Sequence, residues 1–228
     1  MPVELAVLDM AGTTVYDGDA VNHCIREAMA AGEFEVTRDQ VNAVMGQPKP
    51  LAIETLLREK GAPEEGLRER TTAIHSDFMG RMIQYYRSHP DVREIDSAGA
   101  VFASLRKGGI KVVLDTGFNR LIADTILRRL RWTVPDTLDG SVTSDEVARG
   151  RPHPDMILRA MELTSVKDPR RVAKVGDTPS DLEQGRAAGC GLVVGVLEGS
   201  HTRAQLEPYP HTHLIPNISE LPRLLLGG

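Results

Sequence analysis

The sequence predicts an α/β protein: a parallel sheet with helices on both faces, and an all-helical insert after the first strand. Three observations carry this. Short aliphatic runs alternate with helix-length amphipathic stretches from Ser97 onward, the rhythm of right-handed βαβ units. From Asp17 to about Tyr86 the pattern is helical almost throughout, with no convincing strand. Each strand-like run also closes in an acid or a small-residue turn, at the edge where an open parallel sheet binds its ligands.

Val3 to Leu8 is short, aliphatic and closed by a turn, so it reads as a buried strand. Cys24, Ala28 and Ala31 then suggest a helix ended by Gly32. Val41, Val44 and Met45 suggest a second, stopped at Gly46 and by Pro48 and Pro50. Ile53, Leu56 and Leu57 give a third, ended at Gly61, and Leu67 to Tyr86 a long fourth. HPDVREI breaks the run. After it come helix Ser97–Lys107, strand Ile110–Leu114 and helix Leu121–Leu130. A strand-like GSVTS, helix Asp155–Leu163 and strand Val172–Val175 follow. Helix Leu182–Ala188, strand Leu192–Val196, a short strand His213–Ile215 and a C-terminal helix complete the chain. The expected division is a core of residues 1–15 and 90–228 with a helical cap of residues 16–89, hinged near Val15–Gly18 and His89–Ile95.

Composition narrows the function. With 228 residues and 41% hydrophobic content the chain fits a core domain with a smaller insert. A net charge of -5 gives no support to nucleic-acid binding, and the basic cluster Arg128–Trp132 reads as the end of an amphipathic helix. No apolar stretch approaches the ~20 residues of a membrane span, and no leader is seen. Cys24 and Cys190 lack metal-like spacing and read as reduced thiols, so a cytoplasmic protein is expected.

The strand ends line up the chemistry. Asp9, then Asp115-Thr116-Gly117, then Gly176-Asp177 with Asp181 follow successive strands, and Arg151 sits in the loop GRPHP before a helix. Single acids at such turns often only cap helices, as expected for Asp145 and Asp155. Four groups in order call for another explanation. Clustered carboxylates repel, and a divalent cation offsets that repulsion; oxygen-only ligands favour Mg²⁺, with Asp9 and Asp177 as the natural pair. Arg151 adds a planar fork for phosphoryl oxygens, and Thr116 with the Gly117 backbone adds neutral donors. Such a site suits in-line displacement at phosphorus with Asp9 as nucleophile.

DMAGTTV, GRPHPDM and KVGDTPSD together resemble the haloacid dehalogenase superfamily over essentially the whole chain, and within it the phosphonatase branch. The resemblance implies a Rossmann-like core, metal ligation by Asp9, Asp177 and the carbonyl of Ala11, and a place for Asp181 behind them. It also implies a phosphoryl- and substrate-binding set of Thr116, Gly117, Arg151, Gly12 and Met45, and a homodimer paired through the cap. Most relatives carry a second acid two places after the nucleophile, which protonates a leaving alkoxide; here that position is Ala11. Breaking a carbon–phosphorus bond expels a carbanion instead, better served by an electron sink. In the phosphonatase branch a cap lysine in a Met-Gly-x-x-Lys stretch supplies it as an iminium, and Met45-Gly46-Gln47-Pro48-Lys49 has that pattern, in the break between two cap helices. Lys49 would then need a depressed pKa. Three positions depart from the branch: Ala52 where it has a histidine, Asp19 where it has a cysteine, and Phe118 where it has a phenol.

The expected activity is thus hydrolysis of a small-molecule 2-oxoalkylphosphonate. The competing readings are a Mg²⁺-dependent phosphatase of small phosphate monoesters and a metal-binding module without turnover. Among the histidines, His153 reads as a helix-start residue, His201 as rim, and His75 and His89 as solvent or packing residues of the cap.

Overall fold

The computed structural model describes residues 2–95 and 97–227. Six parallel strands stand in the order β3-β2-β1-β4-β5-β6, with the first strand central. They are β1 (Leu5–Asp9), β2 (Lys111–Thr116), β3 (Gly140–Thr143), β4 (Val172–Gly176), β5 (Leu192–Val196) and β6 (His213–Ile215). Helices α1 (Ala20–Ala31), α2 (Arg38–Ala43), α3 (Lys49–Glu59) and α4 (Leu67–Ser88) lie between β1 and α5 (Ala98–Lys107). The remaining helices are α6 (Arg120–Leu130), α7 (Asp155–Thr164), α8 (Pro179–Ala187), α9 (Arg203–Leu206) and α10 (Leu221–Leu226). Among the described residues no helix is long and apolar enough to cross a membrane.

Strand alternation divides the core. Ala6, Leu8, Val112, Leu114, Ala173 and Val175 face one side, where α5, α6 and the helices of the insert bury their apolar stripes. Leu5, Val7, Val113 and Val172 face the other, against Met156, Ile157 and Ala160 of α7. In the insert, Leu67, Thr71, Ile74, Phe78, Met82 and Tyr86 of α4 are buried at three- and four-residue spacing. The helix packs along α1 and α3 and reaches α6. RRLRW behaves as expected: α6 ends in Arg128 and Arg129, and Trp132 packs edge-on against Phe102 at 5.1 Å.

Several boundaries differ from the sequence reading, and each has a local cause. Asp9 and Asp115 belong to strands rather than following them, paired in register across β1 and β2. Lys49 is the first residue of α3 instead of lying in a break, since a proline in the first helical turn lacks only an N–H that would have no partner there. Helix α8 starts at Pro179, three residues before Leu182, because Thr178 and Asp181 form a reciprocal capping box. The two connectors to the insert run side by side. The Ile95 N–H donates to Thr14 O (2.9 Å) and the Tyr16 N–H to Arg93 O (3.0 Å).

Candidate active site

Alternation carries Asp9, Asp115 and Lys174 onto the α7 side of the sheet, since each lies two residues beyond a buried Val of that face. The smaller apolar core therefore ends in a charged cluster. Arg151, from the loop before α7, lies across it with Nη1 2.7 Å from Asp9 Oδ1 and 3.0 Å from Asp181 Oδ1. Its Nη2 is 2.6 Å from Asp115 Oδ1 and also donates to the Asp115 carbonyl (3.0 Å). Lys174 Nζ, fully buried, pairs with Asp115 and lies 2.9 Å from Asp181 Oδ1. The second Asp181 oxygen accepts from the Thr178 hydroxyl at 2.6 Å.

Asp177 hangs just past β4. Its Oδ2 accepts from the Ser200 N–H and hydroxyl, both at 2.7 Å, and its Oδ1 accepts from Thr13 Oγ1 at 3.2 Å. Glycine is required on both sides of it. A Cβ on Gly12, at φ +87°, would lie 2.5 Å from Asp177 Oδ2, and one on Gly199 2.3 Å from the same atom.

Four buried carboxylates thus face two buried cations, an excess of two negative charges when all are ionised. Burial pushes Asp9 up to about 8, with Arg151 opposing and Asp181 and Asp177 adding to the rise. Asp177 is raised too, by burial and then by Asp181. Burial also acts to raise Asp181, but Arg151 and Lys174 outweigh it and hold its carboxyl below the usual range. Oxygens of Asp9, Asp177 and Asp181 lie within 4.8 Å of one another. A buried, all-oxygen, over-charged cluster fits a hard divalent cation such as Mg²⁺. Asp181, with both oxygens already engaged by Arg151, Lys174 and Thr178, suits a supporting place better than a ligating one.

The insert closes over this cluster. A Cβ on Gly117 would sit 3.0 Å from the Gln47 carbonyl, and one on Gly46, at φ +84°, 2.3 Å from Thr178 Oγ1. Between insert and sheet lies a cleft of about 430 Å³ including its mouth, lined by Asp9, Ala11, Gly12, Met45, Lys49, Thr116, Gly117, Arg151 and Asp177. Every residue named for the site from sequence lines it except Asp181, which is fully buried behind.

Lys49 is 5% exposed, its Nζ 3.9 Å from Met45 Sδ and 5.8 Å from the centre of the Phe118 ring. Burial lowers its pKa to about 8, against the pull of Asp9 and Asp17. Its place at the positive end of α3 disfavours the ammonium further. Thr116 Oγ1 accepts from the Phe118 N–H at 3.1 Å.

The other sequence readings resolve one by one. His153 is exposed in the turn before α7. His201 is buried rather than at the rim, its Nδ1 2.9 Å from Ser200 Oγ. His89 stacks on Tyr85 and the half-buried His75 on Phe78. Asp145 does cap a helix, but a neighbouring one, accepting from the Arg120 N–H at the start of α6 (3.0 Å). Asp155 is the first residue of α7, paired with Arg149. Asp19 pairs with Arg38 at 2.9 Å outside the cleft, and Ala52 is buried within α3. Cys24 and Cys190 are both free.

Three participants escape the sequence reading: Ser200, Lys174 and Asp17. Ser200 follows β5 in LEGS, so the strand-end rule points at it. Lys174 is the one charge in a strand of buried aliphatics. Asp17, which lines the cleft, carries no sequence signal.

This chain belongs to the haloacid dehalogenase-like hydrolases, whose family model matches residues 3–189. Within that family it is similar to proteins named phosphonoacetaldehyde hydrolase. The one from Lysinibacillus sphaericus is 31% identical over 213 residues, covering 88% of this chain and 77% of the relative. That from Bacillus cereus strain B4264 is 32% identical over 212 residues, covering 88% and 78%. The fold matches a solved phosphonoacetaldehyde hydrolase-like protein from Oleispira antarctica at a TM-score of 0.82, with 24% identity, over 100% of this chain and 96% of the other. A hydrolase from Pseudomonas syringae matches at a TM-score of 0.82 and 21% identity over 97% of both chains.

Proposed function

We propose that this hydrolase cleaves the carbon–phosphorus bond of a 2-oxoalkylphosphonate, phosphonoacetaldehyde or a close relative. One observation carries the reading: a buried lysine amine and a strand-end carboxylate face the same small cleft, and two places after that carboxylate the chain has Ala11 in place of a second acid. The similarity to phosphonoacetaldehyde hydrolases supports it.

Asp9, Asp177 and the carbonyl of Ala11 would hold Mg²⁺, which when bound would supply positive charge between the phosphonate and the carboxylates. The neutral Lys49 amine adds to the substrate carbonyl and water departs, leaving an iminium. The Asp9 carboxylate attacks phosphorus. The carbon–phosphorus electron pair moves into a new carbon–carbon double bond, giving an enamine on Lys49 and an aspartyl phosphate. Arg151, Thr116 and the Gly117 backbone hold the phosphoryl oxygens, with Gly12 allowing their close approach and Met45 packing against the amine. Water then clears the aspartyl phosphate. The enamine takes a proton on carbon and is hydrolysed to the free carbonyl product. The insert of residues 16–89 acts as a lid over the core of residues 1–15 and 90–228. Pairing of two chains through that lid belongs to the same reading, and sedimentation equilibrium tests it.

Sodium borohydride should inactivate the protein only when phosphonoacetaldehyde is present, with the adduct on Lys49, and Lys49→Arg should abolish both trapping and phosphate release. A kcat/KM for a matched phosphate monoester equal to or above that for the phosphonate would instead support the phosphatase reading.

A further inference from the structure

Imine chemistry needs a proton carrier beside the amine. Addition to a carbonyl leaves a proton too many on nitrogen and one too few on oxygen, and the hydroxyl must leave as water. Met45 and Phe118, which lie against the Lys49 amine, carry no ionisable proton, and Ala52 places only a methyl in the next turn of α3. Among the described residues no histidine lines the cleft, and its acids are Asp9, Asp17 and Asp177. Asp9 is held by Arg151, and Asp177 by Thr13 and Ser200.

We infer that Asp17 is the proton carrier of the Lys49 amine, a catalytic role that rests on the carbon–phosphorus reading above. Its Oδ1 accepts from the Val21 N–H at 3.2 Å, which fixes the carboxyl at the start of α1, and among the described residues Oδ2 takes no partner. The side chain is half-buried and lines two spaces at once, the cleft and an outer vestibule bordered by Asp19, Arg38 and Arg93. It can therefore act on the amine from one side and exchange its proton with water on the other. Burial raises it to about 6, with Asp177 adding to the rise and Lys49 opposing, so both protonation states are accessible near neutrality.

The steps balance. As the Lys49 nitrogen bonds to the carbonyl carbon, the Asp17 carboxylate removes the extra N–H proton and passes it to the alkoxide, which becomes a hydroxyl. Asp17 then takes up a second proton from water in the vestibule. Asp17, now protonated, gives its proton to that hydroxyl. The carbon–oxygen bond breaks, water leaves, and the iminium and the carboxylate remain. After carbon–phosphorus cleavage a proton taken up from the vestibule is delivered to the terminal enamine carbon.

Asp17→Asn keeps the size and an acceptor for the Val21 N–H but removes the proton. Phosphonoacetaldehyde-dependent borohydride trapping should slow by roughly 100-fold, with the adduct still on Lys49 and inhibition by orthophosphate unchanged. Asp17→Ala should be equally slow and should recover when formate is added through the vestibule, a rescue that a structural role would not show. Trapping of Asp17→Asn at the wild-type rate, or no recovery of a folded Asp17→Ala with formate, overturns the assignment and leaves the carbon–phosphorus reading standing. Wild-type protein that is never trapped overturns that reading and this assignment with it.

Discussion

Arg151 and Lys174 show how one sheet end tolerates four buried acids. Each cation is shared between carboxylates, so neither can be removed singly without stranding a charge. Lys174→Met keeps length and apolar packing but leaves Asp115 and Asp181 under-compensated. It should cost roughly 3–5 kcal/mol of stability in urea unfolding; an unchanged midpoint would contradict the ion-pair account. Tyr86 is the opposite case. Among the described residues its buried hydroxyl has no partner, while its ring meets Phe118 edge-on at 6.0 Å. A lone buried hydroxyl costs about 1–3 kcal/mol, so Tyr86→Phe should leave the melting temperature unchanged or raise it. A fall would reveal a partner for the hydroxyl in solution. Lys49 sets a pH dependence. Its amine, lowered to about 8, is protonated below that value and cannot attack a carbonyl. Borohydride trapping should therefore rise as pH climbs through about 8 and level off above it. An exposed lysine would still be climbing near pH 10 at about its ordinary value of 10.4.

At the scale of elements, the site is a meeting of three strand ends and one loop of the insert. The turn at Gly46 rests on Thr178, and Thr178 opens α8 by capping it together with Asp181. Gly46 is bound by two constraints, a left-handed backbone and no room for a Cβ. Gly46→Ala should cost roughly 1–2 kcal/mol from backbone conformation alone, and it should raise KM for the phosphonate by lifting the loop from the core. Thermal melting and steady-state kinetics check both arms, and a variant with normal KM would mean that this loop does not close the cleft. The connectors Thr14–Tyr16 and Arg93–Ile95 hydrogen-bond to each other, with the Arg93 guanidinium stacked 3.6 Å over the Tyr16 ring. Chain enters and leaves the insert at one place, the arrangement a lid on a two-stranded hinge requires.

For the whole molecule, the charge cluster predicts a stability that depends on a cation. Asp9 and Asp177, both raised without one, should be ionised and bridged when Mg²⁺ binds. At 100 times its Kd the ion should stabilise the fold by about 2.7 kcal/mol. Melting in Mg²⁺ against chelator measures this, and Asp177→Asn should lose most of the gain. An equal melting temperature with and without Mg²⁺ would count against the metal site.

The alternation of aliphatic and amphipathic runs determined the parallel sheet and the helical insert, because strand and helix periods are local properties of a chain. The strand-end rule likewise identified Asp9, Thr116, Arg151 and Asp177, since an open sheet gathers whatever follows its strands. Local capping decided boundaries that hydrophobic pattern misplaced, as at Thr178 and Asp181. Only the tertiary structure could show that Lys174 neutralises buried acids, that Ser200 holds Asp177, and that Asp17 faces the cleft of Lys49. Those relations join residues far apart in sequence, and burial, which sets their charges, exists only once the chain has folded.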